Sequence, residues 1–554
     1  MAADVTSPGS VAAPTSTPQH RADGTRQSLI DRLTSPGGLL LSAVMLAVAF
    51  PLTSPMRDPD FWWHLRAGQL IIKNGALLHT DPFTYTVSSH VWTMHEWLSE
   101  VLFANLYGWG GLAAVVIVLS VVSWLGVLCI FARARFDHPG AFVLGGGLVL
   151  AVVAGYPIWG PRAQMITFAF ACLTLLLVEH HLRRGGRLAY LLLPMFLVWG
   201  NLHSGFLIGL GFIALVVAAE AVAHLLHLEG RAPADRVRRL ALLLAASLVV
   251  CAVNLNGPSI ILYPLGTLGS AAQQTLILEW HSPDFHDWSV RFFGIMLLSL
   301  VAFIVANRRI RLRDAALVLA TTALSLQSVR HIALFVAACT PVWINQADML
   351  VRRLRVHRSR QQRLPPVGMR MVSWVALCGA VLAVYIGARL VPAMQTREDS
   401  LFYAQDFPVC AARWLAADPL PLRIFNQYGE GGYLAYRLSA HGDRVYIFGD
   451  AALMGDDLLI SYGDVESVTP QWDSIIRGAG TDIVLFDTGA PLSNLMLHAA
   501  DWVTVYSDAH NIAFAPRERV ASLQLPPQPA FTAANDTCTA LQHTPPSQLQ
   551  QAAG

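Results

Sequence analysis

The chain has 554 residues, 54% of them hydrophobic and only 13% charged, with a mean hydropathy of +0.47. Soluble domains carry about 25% charged residues, so a soluble enzyme, a disordered protein and a nucleic-acid binder are excluded, and a polytopic membrane protein is indicated. The net charge of +2 joins two unlike parts: residues 1–391 hold 30 Lys+Arg against 18 Asp+Glu, and residues 392–554 hold 8 against 18.

Residues 1–35, rich in Ser, Thr, Pro and Ala, read as a disordered tail. The first apolar run, 37–53, reads as an uncleaved first helix; Ala47-Val48-Ala49 leaves a signal peptide as the alternative. Ten further runs suit spans: 111–131, 139–157, 163–181, 188–200, 205–226, 239–255, 290–306, 314–328, 332–348 and 371–391. About 20 residues cross a bilayer. Alternate connections carry Arg133/Arg135, Arg183/Arg184/Arg187, Arg231–Arg239, Arg308–Arg313 and Arg352–Arg370, and these read as plain topology signals. The positive-inside rule puts them in the cytoplasm. The prediction is about 11 spans over 36–391, the N-terminus inside, and an extracytoplasmic domain at 392–520 with a flexible tail at 521–554.

That C-terminal domain reads as α/β. Short β-like runs occur at 422–426, 444–448, 482–486, 502–506 and 512–514, with helical stretches at 431–438 and 468–478 between them. The NQYGEGGYLAYRL segment reads as a strand-to-helix turn, and Asp450 as the end of a strand. Five cysteines lie in apolar runs, where a thiol acts as a small hydrophobe. Cys410 and Cys538 fall in the acidic part and could pair, although nothing requires it.

On this topology the unusual polar residues gather on the outer side, and ionisable groups at membrane depth mark a functional cavity. In the first outer loop, 56–110, Phe61, Trp62, Leu65, Leu70 and Ile71 recur at helical spacing, as in an amphipathic helix lying in the interface. Asp58 and Asp60 precede it. They are candidates for a general base or for holding a divalent cation, Mg or Mn, with a helix N-cap as the competing reading. His64 lies one turn on and could share a face with Asp60, or simply be solvated. His95 and Glu96 form a second candidate cluster; Ser99 stands where a zinc HExxH motif needs its second His, so a zinc protease is rejected. Arg162 and Arg330 are the arginines of the short outer turns and candidate phosphate seats, unless they merely snorkel. His203 and His331 share such turns, and Glu279-Trp280-His281 offers an aromatic face flanked by polar groups, as a sugar needs or as an interfacial belt has.

These features resemble the GT-C superfamily of integral-membrane glycosyltransferases: an acidic pair directly after the first span, interfacial helices, many spans and an outer C-terminal domain. The superfamily includes protein O-mannosyltransferases, aminoarabinose transferase and the catalytic subunit of oligosaccharyltransferase. Over roughly 50–515 the chain is similar to a group of bacterial multi-pass proteins through DPDFWWHLRAGQ, DPFTYT, HEWLSE, GPRAQM, NLHSGF, NLNG, EWHSPDF, VRHIALF and NQYGEGGYLAY. The resemblance implies a plasma-membrane enzyme that takes a sugar from a polyprenyl-phosphate donor to an extracytoplasmic glycan, lipid or protein. It places Asp60, with Asp58 beside it, at the acceptor-activating carboxylate and Arg330 at the carrier-phosphate cation. Where the family often has Asp-Glu, this chain has Asp-Pro-Asp. No cofactor is certain, and a metal on Asp58 and Asp60 stays open. The rival expectation is a lipid-linked-sugar flippase or transporter, or a non-catalytic assembly protein.

Overall fold

The computed structural model describes residues 29–354, 365–533 and 536–543. All eleven apolar runs are helical. Among the described residues six helices are long and apolar enough to cross a membrane: Trp97–Asp137, Gln164–Arg184, Phe206–Leu225, Trp288–Asn307, Val329–Leu354 and Val367–Gln395. Pro36–Leu52, Ala141–Ala154 and Leu188–Leu202 are apolar but shorter. The other two, Ala234–Cys251 and Leu312–Gln327, begin in charged turns (Asp235 with Arg236, Arg238 and Arg239; Arg313 with Asp314), which lowers their apolar content. The chain is a membrane protein. Val367–Tyr385 packs on Pro36–Ala47 and leaves most of its surface exposed, as a lipid-facing helix does. Of the tail expected to be disordered, 1–28 lies outside the described residues, and 29–34 is helical.

The arginines at the end of the bundle remote from the C-terminal domain are more than topology signals. Arg313 pairs with Glu220 and, at 3.4 Å, with Glu179; Arg311 reaches Asp314 at 2.7 Å and Asp137 at 3.3 Å; Arg183 binds Asp137 at 2.8 Å. Arg313, Glu179 and Glu220 are buried. A buried charge needs a partner, and here the partners come from four different helices and so lace them together.

Residues 401–543 form the α/β domain. Its five strands, β1 (Arg423–Asn426), β2 (Arg444–Val445), β3 (Ile483–Asp487), β4 (Trp502–Ser507) and β5 (Asn511–Pro516), lie in the order β2-β1-β3-β5-β4. β2, β1 and β3 are parallel; β5 runs antiparallel to β3 and β4. The expected strand at 444–448 stops at Val445: Tyr446 N–H still reaches β1 at Ile424 O, 2.8 Å away, but Ile447 N–H meets the Asn426 side chain instead, at 3.4 Å. Asp450 therefore does not end a strand; it caps Ala451–Met454, accepting Leu453 N–H at 3.1 Å. The helix Gly431–Leu438 follows β1 as expected. The expected tail is not loose as far as 543: Thr537–His543 packs on Leu401–Asp406, and Cys538 is disulfide-bonded to Cys410.

The first loop is built into this domain. Residues 83–85 pair with β2, through Tyr85 N–H to Val445 O at 3.2 Å and Val445 N–H to Phe83 O at 3.0 Å. The helix Asp60–Asn74 forms with the expected periodicity, and its apolar face is covered by protein. The helix Gly431–Leu438 covers one side of it and Trp97–Ala134 another, burying Phe61, Trp62, Trp63, His64 and Leu65. Trp62, one of the residues of the expected amphipathic pattern, is fully buried and meets Tyr403, Phe407, Tyr433 and Tyr436 with ring centroids 5.1–5.8 Å away. Enough apolar surface converges from three segments to outcompete lipid as its cover. Trp62→Ala should cost about 3–5 kcal/mol, the range for deleting a buried aromatic, seen as a lowered unfolding midpoint in detergent and early proteolysis between the membrane part and the domain.

Candidate functional site

A cavity of about 550 Å³ lies between the helix ends and the C-terminal domain. One wall is the start of the Asp60–Asn74 helix; others are the turns at 162–164 and 203–204, the loop 263–280 and Arg330. The domain closes it with Gln427, Tyr428, Gly429, Gly432, Gly449 and Asp450. That closure depends on small residues. A Cβ at Gly432 would stand 2.6 Å from Pro59 O, and one at Gly449 would overlap Asp60 Oδ1.

Asp58 Oδ1 accepts Asp60 N–H at 3.3 Å, but the N-cap position is taken by Pro59 and no side chain caps the helix, so the N-cap reading does not hold for Asp58. The same oxygen meets Arg162 at 3.5 Å. Asp60 sits in the first helical turn and accepts Trp63 Nε1–H at 3.2 Å. Burial, then the neighbouring Asp58 charge, push the Asp60 carboxyl up to about 7. A group poised there can take and return a proton at neutral pH. The two arginines differ. Arg162 is spent: besides Asp58 it holds Glu279 at 2.6 Å, and burial of Glu279 is outweighed by Arg162 and Arg330, which keep that carboxyl low. Arg330 lies over the Trp280 ring at 4.6 Å and forms no close ion pair among the described residues.

Deeper in the cavity, Glu96 is caged by imidazoles. His95 Nε2 lies 3.1 Å and His203 Nε2 3.4 Å from Glu96 Oε1, and His64 Nε2 is 3.5 Å from Oε2. His203 Nδ1 accepts Gly205 N–H at 2.8 Å, which leaves its Nε2–H to face Glu96. Burial drives His64 down to about 4 against the pull of Glu96, so it is neutral; the expectation of a solvated His64 is overturned, because the domain and Glu100, 3.3 Å from Nδ1, enclose it. Burial would lower His95, but Glu96 outweighs it and raises it. Burial would likewise raise Glu96, yet His203, His95 and His64 hold it well below the carboxylate range. The arrangement favours the charged forms of Glu96 and His95 and the neutral forms of His64 and His203.

Asp58, Asp60, His64, His95, Glu96, Arg162, His203, Glu279, Trp280 and Arg330 thus share one cavity. His281 and His331 do not line it. They line a neighbouring cavity of about 490 Å³ on the other side of Trp280, and bind the carbonyls of Thr275 (2.9 Å) and Leu324 (3.2 Å). The short helix Leu278–Trp280 ends there, turning His281 away from its neighbours. Gln164, Tyr263, Gln427, Tyr428 and Tyr462 line the main cavity without having been singled out in sequence. The close glycines of NQYGEGG were the available signal, since they let the domain approach. Among the described residues no group of three or more His, Cys, Asp or Glu is arranged to hold a metal ion.

No protein-family model matches the chain, and no curated protein matches it. Among solved structures, the archaeal oligosaccharyltransferase AglB from Archaeoglobus fulgidus, in complex with an inhibitory peptide and a dolichol-phosphate, aligns with TM-score 0.51 at 10% identity over 87% of this chain and 74% of that one. ArnT from Cupriavidus metallidurans, bound to undecaprenyl phosphate, gives 0.48 at 15% identity over 91% and 99%. The arabinofuranosyltransferase AftD from Mycobacteria gives 0.43 at 14% identity over 86% and 41%. The AglB alignment shows that the chain shares the fold of that oligosaccharyltransferase, in line with the resemblance read from the first loop and the architecture.

A carboxyl titrating near neutrality is directly observable. Infrared difference spectra across pH 6–8 should show a protonated-carboxyl band fading with a midpoint of about 7, and Asp60→Asn should lack it; an unchanged band in that variant would assign it elsewhere.

Proposed function

We propose that the chain is a membrane glycosyltransferase that moves a sugar from a polyprenyl-phosphate donor to an extracytoplasmic acceptor. The observation that carries this reading is the pairing, in one cavity at the bundle's end, of a proton-accepting Asp60 with an Arg330 that forms no close ion pair among the described residues. The folds of proteins solved with dolichol-phosphate and undecaprenyl phosphate are in keeping with it.

The donor phosphate binds Arg330, whose fork of donors suits phosphate oxygens. Asp60 accepts the proton of the acceptor hydroxyl or amine as that atom bonds to the anomeric carbon. The bond from that carbon to the phosphate oxygen breaks, the carrier leaves as polyprenyl phosphate, and Arg330 stabilises its growing charge. One displacement inverts the anomeric centre. Trp280 offers a face for the sugar, and Glu96 with its imidazoles offers hydrogen bonds to hydroxyls. No step is routed through a divalent cation on Asp58 and Asp60, because Asp58 is held by Arg162 and Asp60 by Trp63.

In this reading eleven helices span a bacterial plasma membrane, with the N-terminus cytoplasmic and the α/β domain outside. The Cys410–Cys538 disulfide supports that side, since disulfides persist in oxidising compartments. A transporter would need polar groups near the midplane reachable from both faces. Here the cavity lies at one end, and the charges at the opposite end pair with one another.

Purified protein incubated with a panel of polyprenyl-phosphate sugars should release carrier phosphate. Asp60→Asn should lower kcat by roughly 10²–10⁴, the usual worth of a general base. Because only the deprotonated Asp60 accepts a proton, the wild-type rate should fall with acidity below about 7. Equal turnover by wild type and Asp60→Asn would remove the assigned base, and release from no donor would favour a transporter.

A further inference from the structure

Glu279 stands where an anion from outside is expected. Its Oε1 lies 2.6 Å from Arg162 Nη1, and Arg330 is the second cation acting on the same carboxylate. Of the three groups in the Asp58–Arg162–Glu279 chain, Glu279 is the most open: its side chain is 36% exposed, against 17% for Arg162 and 10% for Asp58. Asp58 is fixed at a helix start, whereas Glu279 lies in the single turn Leu278–Trp280. That turn is itself anchored by its backbone. Ser328 Oγ donates to Glu279 O at 2.8 Å, and Val329 N–H donates to His281 O at 3.0 Å. The backbone is therefore held against the turn that carries Arg330, while the side chain reaches across to Arg162 and Gln164 and can leave them by a rotamer change.

We propose that Glu279 is an internal stand-in for the donor phosphate: it occupies the seat at Arg162, in the cavity it shares with Arg330, in the free protein and is displaced when a phosphate arrives. This rests on the reading of Arg330 as the phosphate cation. The stand-in serves two ends. Two guanidiniums left without a counter-charge in one partly buried cavity would repel, and Glu279 relieves that until substrate binds. A phosphate must also outcompete a tethered carboxylate, so a simple carboxylate is disfavoured while a phosphate group, whose free oxygens can bridge both forks, gets in. On displacement Arg162 joins Arg330 at the phosphate, with Asp58 keeping it in place from behind.

The test is binding, measured with undecaprenyl phosphate in detergent and needing no turnover. Glu279→Gln removes the competing charge while keeping the shape, and should tighten binding about tenfold or more. Glu279→Asp keeps a carboxylate on the same turn and should stay within a few-fold of wild type. Arg162→Gln should bind more weakly, and should abolish the difference between wild type and Glu279→Gln. Equal or weaker binding by Glu279→Gln, or the same gain in an Arg162→Gln background, would overturn the stand-in. Failure of every form, wild type included, to bind undecaprenyl phosphate would instead contradict the donor assignment. Circular dichroism of each variant separates loss of binding from loss of fold.

Discussion

The contact between the C-terminal domain and the first turn of the Asp60–Asn74 helix governs the site. Gly432 and Gly449 bring the domain's backbone against Pro59, Asp60 and Trp63, where any larger residue would force it away. An acid in the first turn of an exposed helix is stabilised as its anion by the helix dipole. Here the domain strips water from Asp60 while Asp58 adds a like charge, and these effects prevail, moving the carboxyl to the neutral range. Domain docking, closure of the cavity and the acid–base character of Asp60 are thus one event.

The same arrangement explains why nearby charges differ in readiness. Arg162 is balanced by two carboxylates, Glu96 by a ring of imidazoles, and the arginines at the far end of the bundle by acids on neighbouring helices. Arg330 is offset only by an aromatic face and by more distant charge. A scaffold whose buried ions are mostly satisfied can hold one cation and one carboxyl available for chemistry, and the lacing at the opposite end keeps the helices that carry them in fixed relation.

The helices were legible because apolar runs of bilayer length have few other uses, and β1, β3 and β4 because β-branched and aromatic residues cluster between turn formers. The acidic pair and the arginines stood out because such residues are costly beside apolar spans. What hydropathy could not say is which surface covers an amphipathic helix. The Asp60–Asn74 pattern fits lipid as well as protein, and only the arrival of Tyr403, Tyr433 and Tyr436 from the distant domain decides it. For the same reason His64 read as solvated, and Tyr428 went unnoticed. His281 adjoins Trp280 in sequence but faces another cavity, because the single turn ends between them. The Cys410–Cys538 pairing depends on a tail whose return path no local pattern records.

The central claim is that the cavity beneath the domain seats a carrier phosphate beside Asp60. A structure of the protein with undecaprenyl phosphate tests it most directly. The account predicts phosphate density against the Arg330 guanidinium, with the polyprenyl chain leaving toward lipid and Asp60 facing the reacting side. Phosphate lodged instead among the arginines at the opposite end of the bundle, with the cavity empty, would contradict it.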